Sequence, residues 1–227
     1  PRGVIKATAD GKIEDTGPLT RARMETIDED FTEATITFME KAVKADKPFF
    51  VWYNSTRMHV WTRLNEHYDG ITGQGIYADG MRQLDDNVGA LLDTLERLDV
   101  ADNTIVILST DNGAEKFTWP DGGTSPFHGE KGTTYEGGMR VPQIVKWPGV
   151  IEPGSAINAL MSQEDWLPTL AAAAGNDNII EELKEGVTLN DKEWRVHLDG
   201  SNFKPYFEGK EDKGPRETIL YLSLIHI

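Results

Sequence analysis

An α/β domain is predicted, with a mostly parallel sheet and helices on both of its faces. Three observations carry this. Two long segments place apolar residues at helical spacing, short continuously apolar runs follow each of them, and long polar loops begin where those runs end. A run without polar alternation suits a strand covered on both faces, and helix, strand, loop, helix, strand, loop is the order of βαβ units.

After a polar, glycine-containing lead over 1–22, the segment 23–46 sets Met24, Ile27, Phe31, Ala34, Phe38 and Ala42 at steps of three and four. That is one face of an amphipathic helix, which Lys47-Pro48 ends. "FFVWY" at 49–53 is the first strand, and "NSTRMHVWTRLNEHYDGITGQG" is a polar loop. Tyr77, Met81, Leu84, Val88, Leu91, Leu95 and Leu98 mark a second helix, with its apolar face toward the core like that of the first. The turn "ADN" then leads into the strand "TIVIL" at 104–108. "VPQIVKWPG" offers a third strand, closed by Pro148-Gly149. Ser162 and Asp165 have capping-box spacing before "WLPTLAAAAG", a helix that Gly175 terminates. Residues 176–215 are polar and turn-rich, and "RETILYLSLIHI" reads as a strand-like run.

The 227 residues suffice for one sizeable α/β domain, or for one domain and the beginning of another. With 38% hydrophobic and 27% charged residues the chain reads as soluble and globular. No apolar run approaches the roughly 20 residues of a membrane span, so a membrane partner is not expected. The net charge of -15 repels a phosphate backbone, which argues against nucleic acid. An anionic substrate would need a local cluster of cations to overcome that field. There is no cysteine, hence no internal disulfide, thiolate metal site or cysteine nucleophile among these residues. Neither an initiator Met nor a signal-peptide pattern is present, and both ends read as cut within a longer protein.

The chemistry concentrates in "STDNGAEKFTWPDGGTSPFHGEKGTTYEGGMRVP" at 109–142. In α/β sheets, ligands gather where the carboxyl ends of strands feed their loops. "FFVWY" leads to His59, and "TIVIL" leads to Asp111 and Asn112. A desolvated carboxylate there needs a compensating cation or donors. Adjacent carboxylate and amide oxygens suit calcium or magnesium, although calcium takes about six to eight oxygens and two residues cannot complete its site. Taken alone, Asp111-Asn112-Gly113 also fits an ordinary turn. Lys131 lies among glycines that let backbone and ammonium approach a bound oxyanion. Arg57, Arg63 and Arg140 are candidates to reinforce the cationic cluster. His128 is expected to pack the loop, and Glu136 and Arg140 to pair. Glu115 has no assigned role, and His67, His197 and His226 read as structure or surface. Phe117 and Trp119 suit either stacking on a sugar or aryl ring or packing of the loop.

"STDNGAE" followed by "GEKGTTYEGGMRVPQIVKWPG" resembles the sulfatase pattern of Asp-Asn-Gly, Gly-x-Lys-Gly-Thr and Glu-Gly-Gly-x-Arg-Val-Pro. "PFFVWYNSTRMHV", "EDWLPTLAAAAG" and "HLDGSNFKPYFEG" extend the resemblance over nearly the whole chain. It implies an alkaline-phosphatase-like fold, present in part, and hydrolysis of a sulfate ester on a small molecule or carbohydrate. By that resemblance Asp111 and Asn112 are two ligands of a single calcium ion, and Lys131 and His59 bind the sulfate and act in catalysis. The implied nucleophile is a formylglycine hydrate made from Cys or Ser. Its Cys/Ser-x-Pro-x-Arg signature and the first calcium ligands have no counterpart here, and in the family they precede the part represented. Residues 1–215 are therefore expected to be the middle and later part of the catalytic domain, inactive alone, with 216–227 beginning a C-terminal subdomain. Export to the periplasm or secretion is implied by the same analogy. A phosphodiesterase or phosphonate hydrolase of the superfamily, or a non-catalytic calcium-binding relative, are the alternatives.

Overall fold

The computed structural model describes residues 3–221, in two compact units. One holds the chain up to Thr104 together with Thr110–Val141, and the other holds Ile105–Ser109 together with the chain from Pro142 onward.

The first unit opens with an antiparallel hairpin of β1 (Gly3–Ala7) and β2 (Ile13–Pro18). A single helical turn, α1 (Arg21–Met24), precedes the long helices α2 (Ile27–Lys44) and α3 (Ile76–Arg97). Acidic residues fill the first turn of α2 and lysines its last, which complements the helix dipole. Ile27, Met39, Tyr68, Leu95 and Ala101 form the apolar interior of this unit. Much of what α2 and α3 bury is polar, however: Asp28 and Thr32 from one, Asp79, Gln83, Asn87 and Thr94 from the other. Gln83 Nε2 donates to Glu29 Oε1 at 2.6 Å, and Arg97 pairs with Glu40 at 2.7 Å. The helices are thus rotated from the predicted apolar faces, and Phe38 and Met81 are exposed. Hydrophobic periodicity does not register side chains that bury themselves by bonding each other.

"FFVWY", expected as a strand, joins no ladder among the described residues, and Phe50 and Trp52 are 69% and 80% exposed. Its last residue turns inward, where the Tyr53 and Thr32 hydroxyls bond at 3.0 Å.

In the second unit β3 (Val106–Ser109) pairs with a strand that arrives only after the long loop and its helical turn α4 (Glu136–Met139), which belong to the first unit. That partner is β4 (Gln143–Lys146), antiparallel, with Ser109 opposite Gln143. The sheet was expected to be mostly parallel, whereas all three described strand pairs are antiparallel. The reason at β3 lies in the loop: Gly113 N–H donates to Gly138 O at 3.0 Å, so the chain returns beside the point where it left and must run the opposite way.

Beyond β4 come α5 (Trp166–Ala173), α6 (Ile179–Glu185), the hairpin of β5 (Val187–Leu189) and β6 (Lys192–Trp194), and the turn α7 (Lys204–Phe207). Trp147, Trp166, Phe203 and Phe207 form the core of this unit, with Ile107 and Val145 of the strand pair packed against it. Ser162 and Asp165 do form the capping box before α5, and Gly175 follows the helix with φ +99°. Asp165 also accepts from Ser201 N–H at 2.7 Å and from Nε and Nη2 of the Arg216 guanidinium, each at 2.8 Å. One buried carboxylate therefore caps a helix and gathers two later segments. No ladder includes 216–221, and the rest of the strand-like run lies outside the described residues. Among the described residues no helix is long and apolar enough to cross a membrane.

Candidate functional site

His59, Asp111, Asn112 and Lys131 all belong to the first unit. His59 sits in the loop after "FFVWY", where its N–H donates to Thr56 O at 3.1 Å and its carbonyl accepts from Thr62 N–H at 2.9 Å. Thr56 is itself tied to α2: its N–H and hydroxyl both donate to the Asp28 carboxylate, at 2.6 and 2.5 Å. Ser55 adds a third bond to Asp28 at 2.8 Å. Arg57 completes the anchor through a fully buried ion pair with Asp28 at 2.9 Å. Its remaining donors reach Gln83 Oε1 at 2.7 Å and Arg63 O at 2.9 Å. Arg57 is thus committed to holding the loop and does not extend the cationic cluster as expected. Removing one partner of such a pair costs about 3–5 kcal/mol, because it strands the other charge.

The loop after β3 presents Asp111 at its start. The Asp111 carboxylate is exposed and bonds no described residue, while Asn112 donates its amide N–H to Gly113 O at 2.9 Å and keeps its side-chain oxygen free. Hard oxygen donors without protein partners fit two positions of a calcium site. Among the described residues no three His, Asp or Glu side chains converge to hold a metal.

Lys131 returns to the start of the loop through its backbone, its N–H donating to Ala114 O at 2.9 Å. Its ammonium, 30% exposed, pairs with Glu115 Oε2 at 3.0 Å. Glu115 Oε1 accepts from the Thr118 hydroxyl at 2.6 Å. The Thr118 and Lys131 bonds hold the Glu115 carboxyl below its ordinary range, and the charge of His59 adds to that. Glu115 is the residue that sequence reading left without a role; its three-residue distance from the Asp-Asn pair was the available signal.

Other residues around the loop are structural. His128 packs edge-on against Tyr135 with centroids 4.3 Å apart. Arg140 pairs with Glu136 at 2.5 Å, as expected, and its guanidinium lies over Phe127. Trp119 packs against Tyr77, whereas Phe117 is 72% exposed. Gly137 allows a close crossing, since a Cβ there would meet the carbonyl oxygens of Gly129, His128 and Phe127 at 2.5–2.8 Å.

The sequence profile of the sulfatase family matches residues 5–176. Human arylsulfatase A is 35% identical over 184 residues, covering 81% of this chain and 33% of that protein. Human N-acetylgalactosamine-6-sulfatase is 35% identical over 161 residues, covering 70% and 31%. The crystal structure of PsFucS1 sulfatase from Pseudoalteromonas sp. superposes with a TM-score of 0.83 at 29% identity, covering 96% of this chain and 41% of that one. The chain spans about a third of the length of the curated relatives it matches. Its partial α/β domain has the alkaline-phosphatase-like fold of the sulfatases. The chain belongs to the sulfatase family.

Proposed function

We propose that the protein containing this chain hydrolyses the sulfate ester of a small molecule or carbohydrate, with Asp111 and Asn112 as calcium ligands and His59 and Lys131 at the sulfate. The observation that carries this reading is one loop that leaves the Asp111 carboxylate without a partner among the described residues and fixes the Lys131 ammonium at 3.0 Å from Glu115. Residues 1–215 are read as the middle and later part of the catalytic domain and 216–227 as the start of a C-terminal subdomain. That the chain covers about a third of its relatives supports reading it as part of a longer catalytic domain.

Calcium, when bound, withdraws charge from the sulfate oxygens, and the formylglycine that the family implies supplies the nucleophile from outside these residues. The chain's own groups have separate tasks. Lys131 donates to a sulfate oxygen and offsets the charge that grows as the ester bond lengthens. His59, with its ring free of hydrogen bonds among the described residues, holds or moves a proton at the leaving oxygen. The three partly buried bonds to Asp28 hold the backbone before that ring. Export from the cytoplasm belongs to the same proposal and is checked by fractionating the source cells.

The test is the full-length protein assayed with 4-nitrophenyl sulfate, with calcium and after chelation. Calcium-dependent release of sulfate is expected. Turnover of bis(4-nitrophenyl) phosphate in its place would move the reading to a phosphodiesterase of the superfamily. Calcium binding without either turnover would leave a non-catalytic relative.

A further inference from the structure

A carboxylate opposes the binding of an oxyanion, so Glu115 beside Lys131 needs a reason other than charge. Its side chain is only 9% exposed, and its two oxygens are divided between Thr118 at 2.6 Å and Lys131 at 3.0 Å. The same two stretches of loop are held in register by Lys131 N–H to Ala114 O at 2.9 Å and by Phe117 N–H to the Glu130 carboxylate at 3.1 Å. Trp119 N–H closes a turn onto Glu115 O at 3.1 Å, so the carboxylate is carried on backbone that is itself fixed. A lysine side chain has many rotamers, and unrestrained it samples many directions. Its ammonium has three donors, of which the bond to Glu115 uses one and leaves two for a ligand.

We propose that Glu115 is a positioning residue, which aims the Lys131 ammonium at the sulfate oxygens by anchoring it through a nearly buried carboxylate. The inference rests on the sulfatase reading of the site. Arg57 and Arg140 are engaged with Asp28 and Glu136, whereas Lys131 is the cation of this loop that the Glu115 carboxylate holds, which makes its direction matter. Thr118 belongs to the device: by occupying Oε1 it keeps the carboxylate from turning and leaves Oε2 toward Lys131.

Glu115→Gln preserves the shape of the side chain and removes its charge. In the full-length protein with 4-nitrophenyl sulfate, kcat is expected to fall about tenfold to a hundredfold with a smaller change in KM, as a misplacement of about 1 Å produces. In a Lys131→Ala background the same substitution has no further effect, because its influence travels through Lys131. Glu115→Asp, which keeps the charge, recovers part of the loss. An unchanged kcat in the otherwise wild-type protein, or an equal fall in both backgrounds, overturns the proposal. Should Glu115→Gln fail to fold, Thr118→Val frees one oxygen only and is read in the same two backgrounds, with the same outcomes. If the wild-type protein turns over no sulfate ester, the sulfatase reading has failed instead. The anchoring is then read from acylation of Lys131 by acetic anhydride, which is faster in Glu115→Gln if Glu115 holds the ammonium and equal in both proteins if it does not.

Discussion

The loop that carries His59 is fastened by buried charge, whereas the loop that carries Asp111 and Lys131 is fastened by its own backbone at positions where a side chain would not fit. In the first, Asp28 of α2 receives Ser55, Thr56 and Arg57, and each of these bonds runs to an element distant in sequence. In the second, Gly113 and Gly137 bond Gly138 O and His128 O within the loop, and the ion pairs Glu115 to Lys131 and Glu136 to Arg140 are also internal. A remote anchor couples the position of His59 to the integrity of the helices. An internal one lets the Lys131 loop change without disturbing them. Substitutions in the two loops should therefore separate fold from function in opposite ways.

The largest loss of stability is expected from Arg57→Ala. It leaves the Asp28 carboxylate buried with hydroxyl and amide donors but no cation, at about 3–5 kcal/mol. Chemical denaturation should show the midpoint falling with the slope unchanged, and activity falling in parallel because His59 loses its support. A drop of less than about 1 kcal/mol would mean that the loop is not hung on this pair. Gly137→Ala comes next. Its Cβ would press on three carbonyl oxygens, an overpacking that costs about 1–3 kcal/mol. The damage should stay local, so faster hydrogen exchange at Lys131 and Gly138 with unaltered exchange in α2 and α3 is the expected pattern.

How much of this was legible in the sequence differs between the same two regions. The Asp111 loop could be read because its motif residues are contiguous: Asp-Asn-Gly at one end, Lys-Gly-Thr and Glu-Gly-Gly-x-Arg at the other. The Glu136–Arg140 pair follows from helical spacing alone. The capping box at Ser162 and Asp165 was legible for the same local reason. The anchor of His59 was not, because Asp28, Arg57 and Gln83 meet from three separate stretches and nothing in their spacing announces it. That network also misled the reading of the helices. It occupies the interior that periodicity reserves for apolar side chains, and the predicted face turns partly outward. The antiparallel return of β4 depends on a bond from Gly113 to Gly138, which no strand pattern encodes.

Acid sharpens the comparison without any substitution. Glu115 is held below the ordinary glutamate value, first by the Thr118 hydroxyl and then by Lys131. A depressed pKa stabilises the folded state fully above the unfolded value of about 4.3 and loses that contribution as pH falls through the lower folded value. The internal tie of the Lys131 loop should thus be constant from neutral pH down to about pH 5 and weaken only in stronger acid. Carbon-13 titration of the Glu115 carboxyl is the direct reading. A midpoint at or above about 4.3 would contradict the arrangement around it.

The smallest effect on the fold, and among the largest expected on function, belongs to Asp111→Ala. The side chain is exposed and bonds no described residue, so nothing in the packing depends on it. Surface substitutions of that kind stay within about 0.5 kcal/mol of the parent. If Asp111 is a calcium ligand, the full-length variant should retain its thermal midpoint in chelator and lose the upward shift that calcium confers on the wild type, since a ligand that binds only the folded state stabilises it by mass action. Turnover should be lost with it. A variant that unfolds more readily in chelator would show instead that Asp111 anchors the loop, as Asp28 anchors the other. The two loops would then be fastened by the same means, and the separation of fold from function between them would disappear.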